Sequence, residues 1–337
     1  MTSAIPARTT TASSAEPGPH LELDNDKNGK KGRKPRKQLS DRVRAERRLG
    51  WILAGPAFVV MLLVTLYPIL QAVYESLFRF RLTAPEEREF IGLGNYAVIL
   101  TDEVWWSGLW TTVLITVVTV LVELVLGFAL ALVMHKALKS VRGFLRTAIL
   151  VPYGIITVVS AFAWFYAFDI TTGYINNWFS WVPGIGPDFN WFASQWPALF
   201  VIMASEIWKT TPFISLLLLA GLAQVPSEYT EAARVDGATW WQRMSRVVLP
   251  NMKAAIMVAV VFRALDAFRI FDNIFIMTQG QYGTETLSLL AYRTSIGRLE
   301  IGLGSAISVI LFVCVLLIAF VAIKVFKVDL AGAGKGR

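Results

Sequence analysis

An all-α integral membrane protein with six transmembrane helices is the fold class this sequence predicts. Three observations carry that expectation. Apolar residues make up 55% of 337 and fall in blocks too long for a globular core, charged residues make up only 17%, and Lys and Arg gather on alternate connections. A hydrocarbon layer of about 30 Å requires about 20 apolar residues at about 1.5 Å each. Stretches near 50–77, 109–135, 144–169, 196–224, 253–278 and 302–326 meet that length, and six crossings place both termini on one side.

Positive residues close to a span tend to stay in the cytoplasm. Arg42, Arg44, Arg47 and Arg48 precede the first span, and Lys136, Lys139, Arg142 and Arg146 lie between the second and third. Arg234, Arg243 and Arg246 fall in the 226–250 loop, and Lys324 and Lys327 close the last span. The opposite loop at 170–195 has neither Lys nor Arg, so the N- and C-termini and the 226–250 loop are expected in the cytoplasm. Arginines in the 78–108 and 279–299 loops leave this asymmetry incomplete.

In chain order, residues 1–49 read as a disordered basic cytoplasmic tail. They hold few large apolar side chains and a run, KNGKKGRKPRK from Lys27 to Lys37, which suits a topology signal or attraction to anionic lipid. Residues 50–108 supply the first span and an extracytoplasmic loop, with Trp105, Trp106 and Trp110 marking re-entry into the interface. Residues 109–327 form the core, in which Pro152 and Pro212 interrupt two spans. Trp178, Trp181 and Trp191 in its outer loop read as interfacial anchors, and 328–337 is a cytoplasmic C-terminal tail. Cys314 is the single cysteine, and His20 and His135 are far apart, so neither an internal disulfide nor a Cys- or His-based metal centre is expected. Gly332-Ala333-Gly334-Lys335-Gly336 lacks the Ser or Thr and the preceding strand of a phosphate-binding loop, so this chain is expected to bind no nucleotide.

The 226–250 loop, PSEYTEAARVDGATWWQRMSRVVLP, is polar and helix-prone between two apolar stretches. Ser227 can cap a helix over Glu228 to Asp236, and Gly237 suits a left-handed stop. Thr239 with Gln242 is a capping box for a second helix, and Leu249-Pro250 marks the next break. Tyr229, Ala232, Ala233 and Gly237 offer a small face rimmed by Glu228, Glu231 and Asp236. Such a face fits a groove on a soluble partner, and fits an interfacial amphipathic helix equally well.

Each charge at mid-bilayer costs about 2.5–3.5 kcal/mol on insertion scales, so such residues face the bundle interior. Glu206 and Lys209 lie three apart in the fourth stretch, and Arg263, Asp266, Arg269 and Asp272 alternate in sign at the same spacing in the fifth. Both sets can neutralise themselves and glue helices together. With Trp208, Thr210, Thr211 and Phe213 adjacent, Glu206, Lys209 and Asp266 also suit a polyhydroxylated ligand, whose hydroxyls need partners and whose C–H faces stack on rings.

Glu231-Ala232-Ala233, three residues, Gly237, nine residues, then Val247-Val248-Leu249-Pro250 resembles the EAA loop of ABC importer permeases, with Val247 in the usual Ile position. Leu150-Val151-Pro152-Tyr153, Trp208 to Phe213, Phe271-Asp272, Thr278-Gln279-Gly280 and Thr284-Glu285-Thr286-Leu287 extend the likeness to the MalF-like permeases of carbohydrate importers. Gln281-Tyr282 departs from the usual outer T-x-G-G-P. Pro152 to Ile155, Trp208 to Phe213, Ala264 to Asn273 and Gly302 to Val309 are most similar to the actinobacterial trehalose permeases.

The resemblance implies a type I ABC importer permease fold that pairs with a second permease, two ATP-binding cassette ATPase subunits and an extracytoplasmic sugar-binding protein. It implies ATPase contacts at Glu231, Ala232, Ala233, Asp236, Gly237, Leu249 and Pro250. It implies midplane sugar contacts at Tyr153, Thr157, Glu206, Lys209, Thr210, Phe213, Asp266, Ile270 and Asn273. ATP and Mg would belong to the ATPases, this chain would be no enzyme, and nucleic acid is not an expected partner. Trehalose or a related α-linked disaccharide is the expected solute. Another oligosaccharide, glycerol phosphate or a polyamine, or a self-sufficient secondary transporter, are the competing readings.

Overall fold

The structure, a computed structural model, describes residues 41–137 and 140–326, with side chains from 48 to 324 apart from the 138–139 gap. The Lys27 to Lys37 run, His20, Lys139, Lys327 and the Gly332 to Gly336 stretch lie outside the described residues, as do the side chains of Arg42, Arg44 and Arg47. The chain divides into two units, 1–59 and 60–337.

The division falls inside α1 (Asp41–Glu75). Residues 41–49 are helical rather than part of the expected disordered tail, because DRVRAERRL is rich in good helix formers leading into the apolar span. The apolar window of α1 is unburied along its whole length.

In the larger unit a two-stranded antiparallel hairpin, β1 (Phe78–Arg79) with β2 (Glu89–Phe90), leads to α2 (Gly94–Thr101) and α3 (Glu103–Lys136). Next come α4 (Arg142–Gly154), α5 (Thr157–Phe168), α6 (Ile175–Trp178) and α7 (Gln195–Leu222). The 226–250 loop carries α8 (Ser227–Val235), α9 (Trp240–Arg243) and α10 (Leu249–Asn251). Then follow α11 (Lys253–Ala267), α12 (Asp272–Met277), α13 (Leu287–Tyr292) and α14 (Ile301–Phe326).

Of the six expected spans, four are single helices long and apolar enough to cross a membrane: Arg48–Glu75, Glu103–Lys136, Gln195–Leu222 and Ile301–Lys324. The second begins at Glu103, capped by Asp102 accepting from the Val104 N–H at 2.9 Å, rather than near 109. The third expected span is two helices bent by 85°. Pro152 offers no N–H and Ile155 and Ile156 are extended, so the helical ladder stops there. The fifth is also divided: α11 ends at Ala267, and Phe271 leaves helical geometry before α12 starts.

Packing registers give the directions. Ile115 shares an apolar cluster with Leu199 and Ile202, Glu123 meets Thr210, and Met134 shares a second cluster with Leu218 and Leu222, so α3 and α7 run the same way. The chain returns between them, since α4 packs Leu145 and Ile149 on the second cluster while α5 places Ala161 and Phe168 in the first. Val248, Met252 and Ala259 join the second cluster and Ile270 and Ile274 the first, so the path through α11 and α12 also opposes α3. In lipid no hydrophobic force holds such helices together, so close approach and polar contacts must. Gly127 supplies one: a Cβ there would lie 2.8 Å from Ile214 Cγ2.

At the end holding the first cluster, Thr278 and Thr284 hydroxyls pair at 2.7 Å, and Gly283 O accepts from Gln195 Nε2 at 2.9 Å and Thr111 Oγ1 at 3.3 Å. The 278–284 turn is thereby braced on α3 and α7. Trp105 and Trp191 are core side chains there, not interfacial anchors, and the Trp191 indole donates to Asn176 Oδ1 at 2.7 Å. Trp106, Trp110, Trp178 and Trp181 are exposed as anchors would be.

Candidate functional site

Between the two clusters, at the level of both helix breaks, lies a polar cavity of about 420 Å³. Glu206, Lys209 and Thr210 reach it from α7, where spacings of three and four share one helical face. Asp266 on α11, Ile270 in the break after it and Asn273 on α12 line another wall; Tyr153 and Thr157 flank the α4–α5 break. Eight of the nine expected contacts thus converge. The ninth, Phe213, stacks behind Tyr153 with centroids 5.3 Å apart and interplanar angle 15°.

The charges pair differently from the expected pattern. Glu206 does not pair with Lys209, whose Nζ lies 5.9 Å from the Tyr153 ring centroid. Its partner is Arg263, 2% exposed, whose Nη2 donates to Glu206 Oε1 at 2.8 Å and Nη1 to Asp266 Oδ2 at 2.7 Å. Arg263 Nε donates to Glu123 Oε2. A guanidinium carries five donors in a rigid fork, and this geometry engages three carboxylates from α3, α7 and α11, which the ammonium of Lys209 cannot match. Among the described residues Arg269 and Asp272 form no ion pair; both face the cavity.

Glu123 was absent from the sequence-derived set. It is completely buried, and Thr210 Oγ1 donates to its Oε1 at 2.7 Å. A lone acid in the apolar run LVELVLG at 121–127 was the signal available, because an unpaired charge there would be too costly to keep. Asn273 Nδ2 donates to Glu206 Oε2 at 2.8 Å, leaving its buried Oδ1 without a partner. The cavity offers hydroxyls, carboxylate and amide acceptors, an ammonium and an aromatic face, the mixture that a neutral polyol requires.

The second feature is the 226–250 elbow. Ser227 is not a cap: Pro226 holds that position and Ser227 is the first helical residue. Gly237 adopts φ +76°, and the Ala238 N–H donates to Ala233 O at 2.9 Å, closing α8 as expected. The Thr239–Gln242 capping box is present in both halves. From Trp240 the helix runs through a five-residue π segment, Met244–Val248, closed by the Leu249 N–H donating to Met244 O, and reaches Pro250 just beyond it. Met244 and Val248 are buried against α3 and α7, so this arm is fastened to the bundle. Glu231, Ala232, Asp236, Gly237 and Pro250 stand exposed, with Ala233 and Leu249 half-buried.

Residues 123–327 match the family described as binding-protein-dependent transport system inner membrane component. The chain belongs to that family. Among curated members, the trehalose transport system permease protein SugA of Mycobacterium tuberculosis (strain H37Rv) is 50% identical over 282 residues, 84% of this chain and 90% of that one. The trehalose/maltose transport system permease protein MalF of Thermococcus litoralis is 37% identical over 283 residues, 83% of this chain and 94% of that one. Among solved structures, a bacterial ABC transporter involved in the import of the acidic polysaccharide alginate superposes with TM-score 0.71 at 23% identity, covering 85% of this chain and 98% of that one. As a family member the chain is a membrane-embedded transport component with the fold of an ABC importer permease.

Proposed function

We propose that this chain is one of two permease subunits of an ATP-driven sugar importer, and that its cavity holds a disaccharide, trehalose or a related α-glucoside, in transit. The observation that carries the reading is the polar cavity at the two helix breaks. Its volume falls within the 300–1,000 Å³ usual for small-molecule sites, and its mixed donors, acceptors and aromatic face suit a neutral, hydroxyl-rich solute. The similarity to trehalose permeases supports the choice of sugar.

In this reading the path crosses the membrane six times, with α4–α5 and α11–α12 each counting as one broken crossing and both termini in the cytoplasm. The opposed packing directions support that count. An extracytoplasmic binding protein delivers the sugar, and two ATPase subunits bind ATP and Mg. Glu231, Ala232, Ala233, Asp236 and Gly237 contact an ATPase, while Leu249 and Pro250 join that contact to α11. Because α11 also carries Arg263 and Asp266, rocking of the elbow moves the cavity wall, which alternates access.

The test is ATPase activity of the reconstituted complex with its binding protein. Trehalose should stimulate hydrolysis severalfold, whereas a polyamine or glycerol phosphate should leave the basal rate. Uptake with no ATPase subunit present would instead establish a secondary transporter.

A further inference from the structure

Two cavities adjoin at the elbow, and the transport reading assigns neither of them a ligand. The first, about 460 Å³, lies between the end of α3 and the α8–α9 arm. Lys136, Arg234 and Arg243 line it together with His135, Thr230 and a single acid, Glu231. Lys136, Arg234 and Arg243 against the one carboxylate leave this lining a cationic excess. Among the described residues none of the three cations makes an ion pair.

The second, about 510 Å³, is almost wholly apolar, with Val125, Phe128 and Ala129 of α3 on one side and Trp241 and Ile256 on the other. Leu132, Trp240 and Met244 line both cavities, so the cationic pocket and the apolar groove adjoin across these three side chains. A cationic recess beside an apolar groove matches an amphiphile with an anionic head and a long hydrocarbon tail. Trp240 lines both cavities, and tryptophan is a side chain that favours a membrane interface.

We propose that this double cavity is a binding site for one anionic phospholipid of the inner leaflet, its phosphate among Lys136, Arg234 and Arg243 and an acyl chain in the groove beside Ala129. A basic pocket between membrane helices on the cytoplasmic side is where anionic headgroups bind. The site rests on the cytoplasmic placement of the elbow. Because its walls are α3 and both arms of the elbow, an occupied site stiffens the arm against which an ATPase would push.

The test uses the full complex in nanodiscs of phosphatidylcholine with or without about one-fifth phosphatidylglycerol. Native mass spectrometry should find one retained phosphatidylglycerol per copy of this chain, and solute-stimulated hydrolysis should rise severalfold with that lipid. Lys136→Gln with Arg243→Gln removes two of the three cations and should raise the lipid fraction for half-maximal effect about tenfold, the equivalent of about 1.4 kcal/mol. Ala129→Phe fills the groove without changing charge and should abolish retention while size exclusion shows an intact complex. Equal retention by both variants, or equal retention of phosphatidylcholine, overturns the proposal. So does reproduction of the effect by inorganic phosphate in phosphatidylcholine discs, which would make the site one for free phosphate. Retention is read independently of transport, so a failure of the sugar assignment leaves this outcome unaffected.

Discussion

At the scale of single residues the decisive group is Arg263. It is 2% exposed and touches three carboxylates, two of them buried. Removing one partner from a buried pair typically costs about 3–5 kcal/mol, because the remaining charge is stranded. Arg263→Ala strands Glu123 and Glu206 together and should lower the thermal midpoint of the purified complex sharply or prevent assembly. Glu123→Gln should cost far less, since the guanidinium keeps Glu206 and Asp266 and Thr210 keeps an acceptor. Combining Glu123→Gln and Glu206→Gln with Arg263→Met removes all three buried charges and should recover most of the midpoint lost in Arg263→Ala; a triple variant no more stable than the single one would refute this account. The sequence made Glu206 and Asp266 legible as cavity residues. It could not show which cation Glu206 chooses, because helical spacing ranks Lys209 first and only the packing of α7 on α11 brings Arg263 within 2.8 Å. Glu123 carries no such signal, because it has no charged neighbour within a turn along its own helix.

At the scale of elements, hydropathy located the long helices well and the breaks poorly. Averaging over a span hides a stop such as Ile155 and Ile156, where two apolar residues turn extended without any change of composition. The elbow was more legible, since capping chemistry is local: Thr239 with Gln242 and the stop at Gly237 could be read directly, whereas Ser227 lost the cap position to Pro226. Gly237 separates two effects. Its φ of +76° costs an L residue about 1–2 kcal/mol, while a Cβ there would meet nothing within 4 Å. Gly237→Ala should therefore reduce uptake modestly and leave assembly intact. Gly237→Asp adds a branched anionic side chain to the exposed face and should abolish uptake and solute-stimulated hydrolysis while the chain still inserts. Normal uptake by the Asp variant would remove α8 from the coupling path.

At the scale of the whole molecule, alternating direction is the argument for reading the two broken segments, α4–α5 and α11–α12, as crossings in the proposed six-span path. Neither α11, at 15 residues, nor α12, at six, spans a bilayer alone, yet Met252 and Ile274 lie in different apolar clusters that α3 connects through Met134 and Ile115. Both breaks occur beside the cavity, the place where non-helical backbone is tolerated because polar groups line it rather than lipid. That geometry fixes sidedness experimentally. Trp181 and Val235 are 77% and 88% exposed, and Cys314 is the single native cysteine. In a Cys314→Ser background, Trp181→Cys should react with a membrane-impermeant maleimide in intact cells, and Val235→Cys only after permeabilisation. Labelling of both from the same side would require an even number of crossings between them, so α7 could no longer be a single span, and labelling of both in intact cells would also keep the elbow from a cytoplasmic motor.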